Sequence, residues 1–565
     1  MASNEPRPSL LLPNNPSFTT SDPLGLSDSD KDEKPVLPII FSHLLDKIRK
    51  IPPTTSPEEL VSTFISHLSD ISYTLHNAPD PNLNILKSAL IALPNPHAVI
   101  RDIMNAGSTL LMHFPSGSLP SLEPGESRVY RLTQLKALIS HQFIMSLPCP
   151  TWNDWGGVNL SSWFSDADGI IEPKRTYVDI ILQYLKLSNP RLSMPMSQQR
   201  PQLQGAIDTP TPKLSPIPIP GLVSLQSQTV TFHLCHTTSL PDLTVKTPLI
   251  PLKIIESAEE RDFPIIPTDD TENMEIHTIY IISSHRLVGH GPAATQEERL
   301  LASVPLLLPI STFTPPLEDN TALAVTSGAE GGFTPVAVFN GHGRTARLDK
   351  SYNREEYQNS NINNTSSGGG DDGRIRVNTF LSLNATELDG IDLPEGTNTD
   401  GGTLLADFLP GLLEKDLWKA YTGFFGVFNS QKSTPVRRSA STSASTSTPQ
   451  PHKRVKYRIV TPPWGCGAFG GDIRVKLMLL WIAASFAAAN SNADVAVELV
   501  FLVKLMAVDA VEVSWREMIG KIEKGGVGAD EIWQALKNLR AQNPNKNAVL
   551  ENIVKNLGFS VPKFV

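Results

Sequence analysis

Two acidic side chains stand next to each other, Glu297 and Glu298, directly after Gln296 and a loop carrying Gly289 and Gly291. Adjacent carboxylates in a loop or a first helical turn can take separate jobs. One can hydrogen-bond substrate hydroxyls while the other, its pKa raised by burial, serves as general acid. The same pair also suits a helix first turn, where the dipole favours negative charge. A second stretch with chemical potential is Trp464–Asp472, which holds Gly465, Cys466, Gly467, Ala468 and Phe469. Its glycines let backbone N–H groups turn toward one point without Cβ interference. Ahead of a helix N-terminus such a loop can hold a phosphate or pyrophosphate, and it equally fits a tight strand-to-helix turn. Trp464 and Phe469 add large rings that are costly to leave exposed and that suit stacking on a ligand ring.

Each stretch needs elements to aim it. A β-rich run, Ile276–Ile282, leads into the first, and Tyr457–Val460 leads into the second. Asp472 stands at an N-cap position, and Ile473 opens a run without Gly or Pro, predicting a helix to Ala489. Further short β-rich runs at Thr229–Leu234, Leu249–Ile255, Leu323–Thr326, Pro335–Phe339, Val377–Leu383 and Leu499–Val503 alternate with helical stretches at Gln296–Ala302 and Leu404–Gly423. Strands alternating with helices predict an α/β layer structure over 221–565. Before it, residues 36–188 carry helical periodicity at Phe41–Ile51, Leu60–Leu68, Asn82–Leu93, Tyr130–Met145 and Arg175–Leu187. Residues 1–35 read as a disordered tail and 189–220 as a Pro-rich linker; 359–373 and 430–450 read as low-complexity insertions.

Bulk properties narrow the function. The formal net charge of the 565 residues is −9, so neither a broad nucleic-acid surface nor direct DNA binding is implied. Three distant cysteines, Cys149, Cys235 and Cys466, do not form a disulfide framework. The N-terminus lacks a secretory pattern, and the apolar run Leu477–Ala489 falls short of the ~20 residues a bilayer needs. An intracellular protein without membrane attachment is expected. Arg437-Arg438 and His452-Lys453-Arg454 fit a nuclear address or a solvated loop rim. No metal and no cofactor is expected, because the nearest ligand-like cluster, His233, Cys235 and His236, follows strand alternation.

Taken together, the two stretches resemble the poly(ADP-ribose) glycohydrolase family. The glycine loop followed by Gln296-Glu297-Glu298 matches the family's Gly-rich loop and Gln-Glu-Glu. Trp464–Asp472 reproduces its Trp-Gly-Cys-Gly-Ala-Phe-Gly-Gly-Asp signature without a change, and Arg474-x-Lys476 follows. Leu138–Phe143 is similar to the accessory-domain Leu-Ser-His-Gln-Phe, and Ala420–Phe424 to Ala-Tyr-x-Gly-Phe. The resemblance implies an α/β fold, a macrodomain-like mixed sheet flanked by helices, with an N-terminal all-helical accessory domain. It implies hydrolysis of ribose–ribose O-glycosidic bonds in protein-attached poly(ADP-ribose), releasing ADP-ribose, in the nucleus or cytoplasm and in the DNA damage response. In that reading Glu298 is the catalytic acid, Glu297 holds ribose hydroxyls, and Gln296 is a further binding group. Loop amides at Gly289–Gly291 and Gly465–Ala468 cradle the diphosphate, Phe469 packs near it, and Trp464 belongs to the same cleft wall.

This chain departs from the family pattern at Ile282 and His285, which stand at the family's Asp and ribose-binding Asn positions, and at Pro463, which replaces an Asn. His285 keeps a side chain that can hydrogen-bond a ribose hydroxyl; Ile282 does not. The second reading these losses support is a non-catalytic ADP-ribose-binding module, and retention of both Glu297 and Glu298 argues for catalysis.

Overall fold

A computed structural model describes residues 7–15, 46–48, 50–52, 54–76, 81–153, 157–187, 228–257, 262–263, 274–291, 295–328, 332–341, 347–351, 377–389, 391, 405–430, 455–491, 495–504, 517, 519–542 and 549–559. Its strands are β1 (Ser9–Leu11), β2 (Ser118–Pro120), β3 (Ser127–Arg131), β4 (Thr229–His236), β5 (Leu252–Ser257), β6 (Glu275–Ser284), β7 (Thr321–Ser327), β8 (Ala337–Asn340), β9 (Arg347–Ser351), β10 (Thr379–Asn384), β11 (Val455–Thr461) and β12 (Ala496–Lys504). The N-terminal helices are α1 (Pro57–His76), α2 (Asn84–Ile91), α3 (Pro96–Gly107), α4 (Leu110–His113), α5 (Leu132–Phe143), α6 (Ser161–Phe164) and α7 (Ile171–Leu187). Later ones are α8 (Gln296–Ser303), α9 (Ile310–Phe313), α10 (Leu412–Ser430), α11 (Ile473–Asn490), α12 (Ala529–Gln542) and α13 (Val549–Asn556).

Eight strands form one mixed sheet in the order β3-β4-β7-β10-β6-β11-β12-β5. From β10 to β5 all neighbours are parallel, and β7 runs antiparallel to β10. Strand alternation divides the interior. Tyr280 and Ile282 of β6 face a core shared with the N-terminal helices, whereas Ile279 and Ile281 face a second core built with α10 to α13. The mixed, helix-flanked sheet is the architecture expected from the sequence.

The N-terminal region is not all-helical. Ser127–Arg131 pairs with β4 and completes the sheet edge. The expected helix from Tyr130 begins instead at Leu132, where the Gln134 side chain accepts from the Arg131 N–H at 2.8 Å. Tyr130 stays extended, its ring against Phe114, Phe232 and Phe313. Part of the expected tail is also ordered: Ser9–Leu11 pairs with Ser118–Pro120, and Leu10 and Leu12 are buried. Two leucines two apart suffice to seat a short strand when a groove exists to receive them, which composition does not reveal. The linker 189–220, the insertion 359–373, residues 431–450 and the basic residues 437–438 and 452–454 lie outside the described residues.

Helix α11 has the length and hydropathy of a membrane span, but Val475–Ala487 are buried against the sheet and α10. It is a core helix.

The Leu138–Phe143 segment proves to be a set of stitches. His141 donates from Nε2 to the Gly107 carbonyl at 2.9 Å, and its Nδ1 lies 2.7 Å from the Ser146 hydroxyl. Gln142 Nε2 donates to Val158 O at 2.9 Å and Leu308 O at 3.0 Å, joining the helical layer to the segment before α9. Complete burial pushes the His141 pKa down to about 4, so the native ring is neutral while the unfolded one takes a proton near 6.5. The unfolded state therefore binds more protons between these values, and stability rises with pH through that window. His141 is expected to contribute of order 3 kcal/mol above pH 6.5 that is lost as the pH falls toward 4. Urea unfolding of His141→Gln should show a shallower loss from pH 6.5 to 4 than the parent chain; equal slopes would contradict this.

Candidate active site

Strands β6 and β11 are parallel neighbours, and their following helices leave on opposite faces. Leu300 and Leu301 of α8 enter the core shared with the N-terminal helices, whereas Leu477 to Leu480 of α11 enter the other. Where helices diverge in this way, a crevice opens between the loops at the carboxyl ends of the strands. Both chemical stretches lie on those loops. The signature loop meets the end of β6, where the Gly465 N–H donates to Ser283 Oγ at 3.2 Å.

Glu297 and Glu298 open α8 and are both buried. Glu297 accepts from the His285 N–H at 3.1 Å and the Gly289 N–H at 3.0 Å, one at each carboxyl oxygen. Glu298 accepts from the Gly291 N–H at 3.2 Å on Oε1 and from the Thr295 N–H at 2.9 Å on Oε2. The Thr295 hydroxyl also bonds that second oxygen. Thr295 with Glu298 forms the T-x-x-E pairing of a capping box, legible in the sequence as Thr295-Gln296-Glu297-Glu298. Burial raises the pKa of both carboxyls, and Glu298's charge raises Glu297 further. Two carboxyls in one dry place lose their protons at higher pH than an exposed pair does.

The structure revises several expected roles. Gly289 and Gly291 spend their amides on the two glutamates rather than on a diphosphate. Gln296 is a brace, accepting from Ser283 N at 2.9 Å and donating to Ile281 O at 3.2 Å. His285 has its Nδ1 against the Leu287 N–H at 3.1 Å and its Nε2 at 2.9 Å from Glu387 Oε1, which engages both ring nitrogens within the protein. Trp464 does not line the cleft with its ring. It is fully buried and donates from Nε1 to Leu383 O at 3.1 Å. An indole among glycines has to be covered by something, and here the core covers it.

On the signature loop the Cys466 N–H turns back to Pro463 O, and the Gly471 N–H to Gly465 O. Burial pushes the Cys466 thiol up to about 12, so it is no nucleophile. Gly467 and Ala468 are exposed and begin a 3₁₀ turn with the half-buried Phe469. The first N–H groups of such a turn have no partner within it. Asp472 caps α11 as expected, accepting from Arg474 N at 2.9 Å and Val475 N at 3.4 Å.

Beneath this loop sits a group named above only as the end of the Arg474-x-Lys476 motif. Lys476 is buried between Asp407, at 3.0 Å, and Asp416, to which it also bonds. Its ammonium lies 5.6 Å from the Trp464 ring centroid. Asp407 also accepts from the Asp472 N–H at 2.8 Å, and Lys419 lies 3.7 Å from Asp416. Gly471 is glycine for contact reasons, since a Cβ there would come within 2.4 Å of Lys476 Cε.

Residues 256–491 match the family model described as poly(ADP-ribose) glycohydrolase, macro domain fold. That segment, under half of the 565 residues, is similar to the poly(ADP-ribose) glycohydrolase family. No match is found among curated proteins. The matched segment contains β6, α8, β7, β10, β11 and the whole signature loop. The N-terminal helices, β12 and the last two helices lie outside it. The match supports a glycosidase-type hydrolase acting on poly(ADP-ribose), and the buried glutamate pair lies within it.

Proposed function

We propose that the chain hydrolyses ribose–ribose O-glycosidic bonds of poly(ADP-ribose) and releases ADP-ribose, with Glu298 as the proton donor. The observation that carries this is the buried Glu297–Glu298 pair in the first turn of the helix that follows β6, the strand paired with β11. Cleavage of a glycosidic bond near neutral pH needs a carboxyl that keeps its proton, and desolvation supplies one. Between the two, hydrogen-bond chemistry favours Glu298 as the deliverer. Both carboxyls accept a backbone N–H at each oxygen, Glu297 from His285 and Gly289 and Glu298 from Gly291 and Thr295. Glu298 faces the Thr295 hydroxyl, which donates or accepts and so tolerates either state.

In the proposed reaction Glu298 protonates the departing ribose oxygen as positive charge builds at the anomeric carbon. It then takes a proton from the attacking water. Glu297, fixed by the 285–289 loop, holds ribose hydroxyls beside that centre. Gly467 and Ala468 are the backbone groups best placed to meet the diphosphate, and Phe469 packs beside them.

Incubation of the purified chain with labelled poly(ADP-ribose) is expected to shorten the polymer and release ADP-ribose. Polymer of unchanged length together with measurable ADP-ribose affinity would overturn the hydrolase reading in favour of a binding module.

A further inference from the structure

The Glu298 carboxyl is held partly from outside the matched domain. Gly291 donates its N–H to Glu298 Oε1 at 3.2 Å, and its carbonyl accepts from the indole Nε1 of Trp163 at 2.9 Å. Gly291 is therefore clamped on both sides of its Cα, by the glutamate and by a residue of α6. A glycine followed by Pro292 has few other means of being fixed, since it lacks a side chain and the next residue lacks an N–H.

Trp163 is itself rigid. It is fully buried, with ring centroids 4.9 Å from Tyr177 of α7 and 5.3 Å from His290. Its backbone N–H is bound to Leu160 O at 3.0 Å. A second tie runs in parallel: Gln142 Nε2 lies 3.3 Å from Ser311 Oγ, and the Ser311 Cβ lies 3.0 Å from where a Gly289 Cβ would stand. Both glycines that hold the glutamate pair thus rest on groups tied to the N-terminal layer.

We propose that Trp163 is a positioning residue for Glu298, its indole N–H fixing Gly291 so that the Gly291 amide sets the carboxyl. The proposal rests on the assignment of Glu298 as proton donor. It places part of the acid's support on a helix outside residues 256–491.

Trp163→Phe keeps an aromatic plate against Tyr177 and His290, removes the donor and leaves a smaller ring in a fully buried place. It is expected to lower kcat about tenfold, the size of one neutral hydrogen bond, with KM close to the parent value and a lower Tm from the smaller ring. The Gly291 amide favours the charged form of Glu298, so loosening it raises the acid's pKa. The basic limb of the kcat–pH profile should accordingly move to higher pH, a change that a merely structural defect does not produce. Hydrogen exchange at the Gly291 amide should also become faster. Trp163→Tyr serves as a second variant if the first folds poorly. Parent-like kcat and pH limb, or parent-like exchange at Gly291, would overturn the proposal. If the parent chain releases no ADP-ribose, the hydrolase reading falls on that result alone, and exchange at Gly291 still decides whether Trp163 holds the loop.

Discussion

Glu298→Gln is expected to lower the release of ADP-ribose from poly(ADP-ribose) by about 10²- to 10⁴-fold, the range that a positioned general acid supplies. The amide has nearly the shape of the carboxyl, so its oxygen can still accept from the Thr295 N–H that now bonds Oε2, while the bond from the Gly291 N–H is given up. What catalysis loses is the proton. ADP-ribose affinity should stay within a few fold of the parent's. In Glu297→Gln the acceptor lost is one for the His285 or the Gly289 N–H instead. A glutamine offers one acceptor and must point its NH₂ at either His285 N or Gly289 N, which loosens the 285–289 loop. Affinity and rate should then fall together. The pH dependence follows from the same environment. Burial raises both carboxyls above their ordinary range, and activity needs the protonated acid. Activity is therefore expected to persist above the usual carboxylate range and to decline as pH rises through the raised pKa. Parent-like turnover in Glu298→Gln would sink the assignment of the acid.

The largest stability effect is expected at Lys476. Methionine there keeps most of the chain's length but leaves Asp407 and Asp416 as buried carboxylates without their main counter-charge. Breaking a buried pair by removing one partner costs about 3–5 kcal/mol. Lys419, 3.7 Å from Asp416, offsets part of this for Asp416 and does little for Asp407, whose pKa burial already raises. The sign of the pH effect is a distinguishing feature. In the variant the native pKa values of these aspartates rise above their unfolded ones, so protonation favours the native state. The deficit relative to the parent should shrink as the pH falls, whereas loss of simple packing would not vary in this way. Urea unfolding at two pH values measures both quantities; a deficit under about 1 kcal/mol at neutral pH would show that the ion cluster does not hold the loop. Arginine is not expected to substitute, because Gly465 and Gly471 close directly over the lysine stem.

The strands and helices around the crevice were largely legible. β6, β10, β11 and α11 follow from β-branched runs and from an uninterrupted helical stretch behind a capping Asp. Side-chain roles were less so. Gln296 and Trp464 have the chemistry of ligand-binding groups, and that chemistry is used up inside the protein, on Ser283 and Ile281 in one case and on Leu383 in the other. A donor or a ring in a sequence states what it can bond, not which partner arrives first. Trp163 gave no signal, because its function depends on a carbonyl 128 residues away.

By itself, the sequence determined the order of strands and helices, the adjacency of two glutamates and the glycine content of both loops. Each of these is a local property of neighbouring residues. Tertiary structure decided that the helices after β6 and β11 diverge to opposite faces, which opens the crevice. It decided as well that the glycine amides of the first loop turn onto Glu297 and Glu298, that the N-terminal layer reaches Gly291, and that Lys476 lies beneath the signature loop. These depend on segments far apart in the chain meeting in a dry interior. There the energy of a charge or a hydrogen bond is set by the surroundings, and its residue type alone does not reveal it.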